Sequence, residues 1–273
     1  MLSDSQRERL AVLLVSPRNP LNIGATARAM ANFGFSRLAV VAPYEPHWRE
    51  ARSAMGAEKL LQKARCTASL PEAIAGCTLV AGTGSLARRK PEQPVVPLPI
   101  LVPVIQHEIA RGGRAALVFG PEKRGLTRDD LSLCHVLVEI PTQPRQPSMN
   151  LGQAVAVCLY ELSAPRSQSS PPIGNGSAAG WAESGNPLAR PGGDFDSGLA
   201  EPSATAADLD LLTNVVESTL AAANYSPAAM RNANRHDLQA LLRRLALSRR
   251  DAVRILGAFR RILWSLRHRN RGD

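Results

Sequence analysis

Up to residue 163 this chain alternates short apolar runs with stretches of helical periodicity, and within the runs polar and apolar residues do not alternate. The runs are Leu10–Val15, Leu38–Ala42, Thr78–Ala81, Ala115–Phe119 and His135–Ile140, rich in Val, Leu, Ile and Ala. Strands of that composition are buried on both faces, as in parallel sheets. Helical patterns lie between them. They cover about Ile23–Phe33 (stopped by Gly34), Ala51–Ala64, Ile100–Arg111 with an interruption at Pro103, a short helix opening at Thr127, and Asn150–Ser163. Such alternation predicts an α/β fold, a parallel sheet with helices on both sides.

The pattern stops at Ala164. From there to Thr205 the chain holds 6 Pro, 7 Gly and 7 Ser in 42 residues and no sustained apolar period, which reads as a disordered linker. Beyond it everything is helical. Leu209, Leu212, Val216 and Leu220 form one stripe. Ser226-Pro227 has the form of a helix start, and Ser248-Arg-Arg-Asp251 that of a capping box. The last helix would bury Ile255, Leu256, Phe259, Ile262, Leu263 and Leu266. The expected organisation is therefore an α/β domain over 1–163, a linker over 164–205 and a small all-α domain over 206–273.

Charge narrows the partners. The net charge is +10, carried by 29 Arg and only 4 Lys. Between Met230 and Gly272 there are 12 Arg against two acids, Asp237 and Asp251. Arg pairs with phosphate in a fork and stacks on bases, so a tethered basic helical unit predicts an RNA-gripping module. Cys66, Cys77, Cys134 and Cys158 show no paired spacing, and the five His are scattered, so no metal site is expected. Neither a signal peptide nor an apolar stretch of membrane-spanning length is present, so no membrane partner is expected and a cytoplasmic protein is. Motifs of P-loop NTPases, α/β-hydrolases and zinc proteases are missing.

Three blocks carry chemistry, each at or just past the C-terminal end of an apolar run, where open α/β sheets bind ligands. They are Asn22-Ile-Gly-Ala-Thr-Ala-Arg28, Leu117-Val-Phe-Gly-Pro-Glu-Lys-Arg-Gly-Leu126, and Ile140-Pro-Thr-Gln-Pro-Arg-Gln-Pro-Ser-Met-Asn150-Leu151. Arg, Glu and two Asn stand among Gly and Pro, an inventory suited to a polar substrate and a small cofactor. Gly82-Thr-Gly84-Ser85 alone is a weak signal, since it is not a dinucleotide fingerprint.

Taken jointly and in order, the blocks resemble the SpoU/TrmH-type RNA 2′-O-ribose methyltransferases of the SPOUT class. The matching positions are Asn22, Gly24, Ala25 and Arg28, then Gly120, Glu122, Gly125 and Leu126, then Ile140, Pro141, Ser148, Met149, Asn150, Ala154, Leu159, Tyr160 and Glu161. Met149 for Leu is the visible departure, and it conserves volume. Within the class the linker and basic C-terminal helices look most like the TrmJ group of tRNA methyltransferases.

The resemblance implies a sheet closed by a C-terminal trefoil knot whose loops bind S-adenosylmethionine. By position the cofactor residues are Thr83, Gly84, Ser85, Gly120, Ile140, Pro147, Ser148 and Met149. Arg28, Asn22, Glu122 and Asn150 are the implied catalytic set. Guanidinium is hardly ever a base, so Arg28 is expected to clamp a phosphate and stabilise the developing alkoxide, with phosphate or water taking the proton. Asn22 and Asn150 would orient Arg28 and the ribose, while Glu122 would hold loop geometry or pair with a basic residue. Arg88, Arg89, Lys123, Arg124, Arg243 and Arg244 are the expected RNA contacts. The implied activity is 2′-O-methylation of a cytidine or uridine ribose at position 32 of the tRNA anticodon loop, by a homodimer. Methylation of ribosomal RNA is the runner-up, and a non-catalytic RNA-binding protein on the same scaffold is the third reading.

Overall fold

The computed structural model describes residues 2–84, 91, 93–143, 145–164, 201–225 and 230–269. Ser85, Arg88, Arg89, the Ser226-Pro227 helix start and residues 165–200 of the expected linker lie outside that set.

Seven strands form one sheet: β1 Leu10–Val15, β2 Arg37–Val41, β3 Arg65–Thr67, β4 Leu79–Thr83, β5 Val95–Pro97, β6 Ala115–Phe119 and β7 Val136–Glu139. Their order is β3-β2-β1-β6-β4-β7-β5, and every neighbouring pair is parallel. The uniform apolar runs are explained by burial on both sides. Leu10, Val12 and Leu14 face one core layer, while Leu13 and Val15 face the other. Each such fully buried Leu contributes about 2 kcal/mol. The two strands with no run in the sequence, β3 and β5, are the sheet's edges and only three residues long. Pro97 is tolerable there because an edge strand has a free side.

Helices cover both faces: α1 Asp4–Arg7, α2 Pro20–Asn32, α3 Glu58–Lys63, α4 Leu70–Ile74, α5 Leu98–Ala110, α6 Arg128–Ser132 and α7 Leu151–Ser163. The expected helix over Ala51–Ala64 is instead two 3₁₀ turns, Trp48–Glu50 and Arg52–Ala54, followed by α3. Gly56, at φ 82°, breaks it. Nor does Pro103 interrupt α5. Leu101, Val102, Ile105 and Ile109 bury one face of that helix, which outweighs one missing backbone hydrogen bond.

The C-terminal helices are α8 Ala206–Ala222, α9 Arg231–Arg244 and α10 Arg249–Arg269. Ser248 caps α10, since Asp251 N donates to Ser248 Oγ at 3.1 Å and the Ser248 hydroxyl donates to Asp251 Oδ2 at 2.6 Å. The expected linker, however, ends early. Ala204 is buried, Ala204 N donates to Leu247 O at 3.0 Å, and Thr205 caps α8. The helices are also docked on the sheet domain. Ala206 N donates to Cys77 O at 2.8 Å, and the Ser132 hydroxyl donates to Gln239 Oε1 at 2.8 Å. His236 faces Asp129 at 2.7 Å and Arg128 faces Asp237 at 3.4 Å. No helix among the described residues is long and apolar enough to cross a membrane.

Candidate active site

The C-terminal edge of the sheet brings the three sequence blocks together. The first follows β1, where Asn19 caps α2 by accepting from Leu21 N at 3.0 Å, with Pro20 at the first helical position. Block two follows β6, and the third follows β7 and ends in α7, which Asn150 caps through Gly152 N at 3.0 Å. Two glycines let these pieces approach. A Cβ on Gly120 would stand 2.3 Å from the backbone of Gly125 and Leu126. One on Gly152 would stand 2.8 Å from Ala25 Cβ, where α7 crosses α2.

A directed chain of hydrogen bonds ties the blocks. Glu122 Oε1 accepts from Asn22 Nδ2 at 2.8 Å and from Asn19 N at 3.2 Å, and Oε2 accepts from Arg18 N at 3.2 Å. Asn22 Oδ1 in turn accepts from Asn150 Nδ2 at 3.1 Å. An ionised carboxylate only accepts, so it fixes the amide of Asn22, which then fixes that of Asn150. Partial burial pushes the Glu122 pKa up, but the bonds from Asn22 and from backbone amides outweigh it, and the net shift is downward. Through these bonds Glu122 ties the loop after β6 to the start of α2. Asn22 and Asn150 sit with it rather than with Arg28.

Beside this chain opens a pocket of about 260 Å³, close to the lower end of small-molecule sites (~300–1,000 Å³). Thr83, Gly84, Gly120, Ile140, Pro147, Ser148 and Met149 all line it, as do Glu122, Lys123 and Arg124. Its walls combine glycine backbone at 84, 120 and 125 with apolar Leu126, Leu131, Ile140 and Met149. That donor set fits a flat heterocycle whose edge bonds backbone groups and whose faces rest on aliphatic side chains. Thr83 has a second duty, because its hydroxyl donates to Val118 O at 3.0 Å. Sequence reasoning passed over Leu131, Glu139 and Thr142 as lining residues.

One expected site residue stands apart from the pocket, and one expectation needs correction. Arg28 does not line the pocket of its own chain. It lies on the exposed side of α2, and no hydrogen bond or ion pair holds it among the described residues. Six residues beyond Asn22, it stands about 9 Å further along the helix and about 120° round it. Arg243 is not at the surface at all. It is fully buried, and its Nη2 donates to Asp210 Oδ1 at 2.8 Å. A helical count places it with buried Gln239 and Ala240, and Asp210 supplies the countercharge. Arg244, its neighbour, is exposed. Three of the four Cys are buried as foreseen, whereas Cys66 is exposed. Burial pushes the Cys77 thiol up to about 11 and those of Cys134 and Cys158 up to about 12, which leaves these three inert.

The sequence profile of the SpoU rRNA Methylase family matches residues 9–160, which hold every strand of the sheet and all three blocks. The chain belongs to this family. Among curated members it is 40% identical over 156 residues to the tRNA (cytidine/uridine/adenosine-2′-O-)-methyltransferase TrmJ of Pseudomonas aeruginosa, covering 57% of this chain and 60% of that protein. It is 37% identical over 158 residues to the tRNA (cytidine/uridine-2′-O-)-methyltransferase TrmJ of Yersinia pestis, covering 56% and 59%. The aligned region thus spans about three fifths of the curated relatives' length. The crystal structure of TrmJ from Z. mobilis superposes with a TM-score of 0.73 at 27% identity, covering 92% of this chain and 98% of that one. A putative methylase family protein from Neisseria gonorrhoeae superposes with a TM-score of 0.54 at 30% identity, covering 64% and 92%.

Proposed function

We propose that this chain transfers a methyl group from S-adenosylmethionine to the 2′-oxygen of a pyrimidine ribose in the anticodon loop of tRNA, at position 32. The observation that carries the reading is the pocket lined by the second and third blocks, to which the hydrogen bonds of Asn22 with Glu122 and Asn150 tie the first. The names of the TrmJ relatives favour tRNA as substrate. The family's own description favours a second reading, ribosomal RNA. A non-catalytic RNA-binding role would leave the oriented polar chain without a use.

The cofactor would rest on Thr83, Gly84, Gly120, Ile140, Pro147, Ser148 and Met149, and it supplies a methyl group on a sulfonium. The chain's residues do the rest. Backbone at Gly84 and Gly120 would hold the adenine edge, and Ile140 and Met149 would cover its faces. Asn22 and Asn150, aimed by Glu122, position the ribose for in-line attack, where alignment supplies much of the rate. Lys123 and Arg124 at the pocket mouth hold phosphate. Arg28 stabilises the developing alkoxide, and in this reading it serves the pocket of a second copy in a homodimer. Leu21 on α2 and Tyr160 on α7 are exposed apolar side chains that such pairing would cover. The reading also includes the trefoil knot, the basic C-terminal helices as an RNA-gripping unit on the sheet domain, and a cytoplasmic location.

Incubation of total tRNA and of rRNA with labelled S-adenosylmethionine, followed by nucleoside mass spectrometry, separates the readings. Labelled 2′-O-methylcytidine or 2′-O-methyluridine from tRNA supports the first. Label in rRNA alone moves the assignment to the second, and no label in either leaves the third.

A further inference from the structure

Next to the pocket, the sheet edge carries an aromatic ring that the mechanism above does not use. β1 and β2 are neighbours, and each is followed by a residue with left-handed backbone, Ser16 (φ 45°) and Ala42 (φ 42°). The two loops leave the sheet side by side, and Tyr44 N donates to Pro17 O at 3.2 Å. Tyr44 is 70% exposed, with the Arg18 guanidinium 5.5 Å from its ring centroid. Arg18 N itself donates to Glu122 Oε2 at 3.2 Å. Two hydrogen bonds, one between backbones and one to a side chain, therefore tether the loop that carries the ring to the carboxylate that aims Asn22.

Position and chemistry agree. Along the edge the sheet runs β6, β1, β2, so Tyr44 stands roughly 10 Å from the pocket loop after β6. A sugar placed at Asn22 would have its own base, or a neighbour's, within reach of the ring. Aromatics make up only 4% of this chain, yet one is held out to solvent at its reactive edge. An exposed ring with a guanidinium against it accepts any unstacked base, because every base has a π-face and the cation meets the phosphate backbone.

We propose that Tyr44 and Arg18 form a stacking site for an unpaired nucleobase of the RNA segment that carries the reacting ribose. The inference rests on the proposed action on RNA and adds where the base is held.

Three measurements on the full chain test it: tRNA affinity by fluorescence anisotropy without turnover, steady-state methyl transfer, and calorimetric titration with S-adenosylmethionine. Tyr44→Ala is expected to weaken tRNA binding and raise KM for tRNA about tenfold. Cofactor affinity and kcat should stay within twofold, and Tyr44→Phe should restore the wild-type KM. The proposal is overturned if Tyr44→Ala binds tRNA within twofold of wild type, or if it loses cofactor affinity in parallel. A chain that binds tRNA through Tyr44 yet transfers no methyl group would sink the methyl-transfer reading alone.

Discussion

His135 shows how one buried side chain sets the acid limit of this fold. Its Nδ1 accepts from Val80 N at 3.1 Å between β7 and β4. Burial, and secondarily the Arg243 charge, push its pKa down to about 3. The unfolded chain keeps a value near 6.5. Above that pH neither state binds the proton, and stability does not depend on this group. Between about 6.5 and 3 the unfolded state takes a proton that the folded state refuses, so stability falls on acidification, by ~1.4 kcal/mol per pH unit. Urea denaturation at pH 7.5 and pH 5 should show a loss of about 2 kcal/mol from this group. His135→Gln, which keeps an acceptor for Val80, should remove that part of the slope. Equal slopes would refute the assignment. At this scale the sequence was legible for short polar motifs. Asn22, Glu122 and Asn150 do meet, and seven of the eight expected cofactor positions line one pocket, Ser85 lying outside the described residues. It was not legible for Arg243, because an Arg count carries no information about which side of a helix each one occupies.

Among the elements, the docking of α9 on α6 matters most. Gln239 meets Ser132, His236 meets Asp129, and Arg243 is buried behind both, against Asp210. Two adjacent arginines on α9 should therefore behave in opposite ways. Arg243→Ala leaves Asp210 uncompensated and should cost about 3 kcal/mol in chemical denaturation. Arg244→Ala should change stability by less than about 0.5 kcal/mol. In exchange, it should lower the slope of log Kd for tRNA against log salt by about 1. Similar stability losses for both would refute the assignment. The apolar runs gave away five strands because both of their faces are buried. Edge strands β3 and β5 stayed hidden, being three residues long and half exposed. A tethered helical unit was expected from composition, but backbone bonds at Cys77 and Ala75 to the start of α8 are long-range facts that no local pattern carries.

For the whole molecule, the open question is which pocket Arg28 serves. Its place on the outside of α2 predicts complementation between copies. Arg28→Ala keeps an intact pocket, and Gly120→Val, whose side chain would collide with the backbone of Gly125, loses it. Each variant alone should be inactive. Mixed and re-equilibrated in equal amounts, they should regain about a quarter of wild-type activity, since half the dimers are mixed and each has one complete site. No recovery would place Arg28 in service of its own chain. The central claim, that three remote loops build one cofactor pocket beside the Glu122–Asn22–Asn150 chain, is tested most directly by a crystal structure of the full chain grown with S-adenosylmethionine. The account predicts the adenosyl group between Gly120 and the pair Ile140 and Met149, with the methyl group turned toward Asn22. Density for the cofactor anywhere else on the molecule would contradict it.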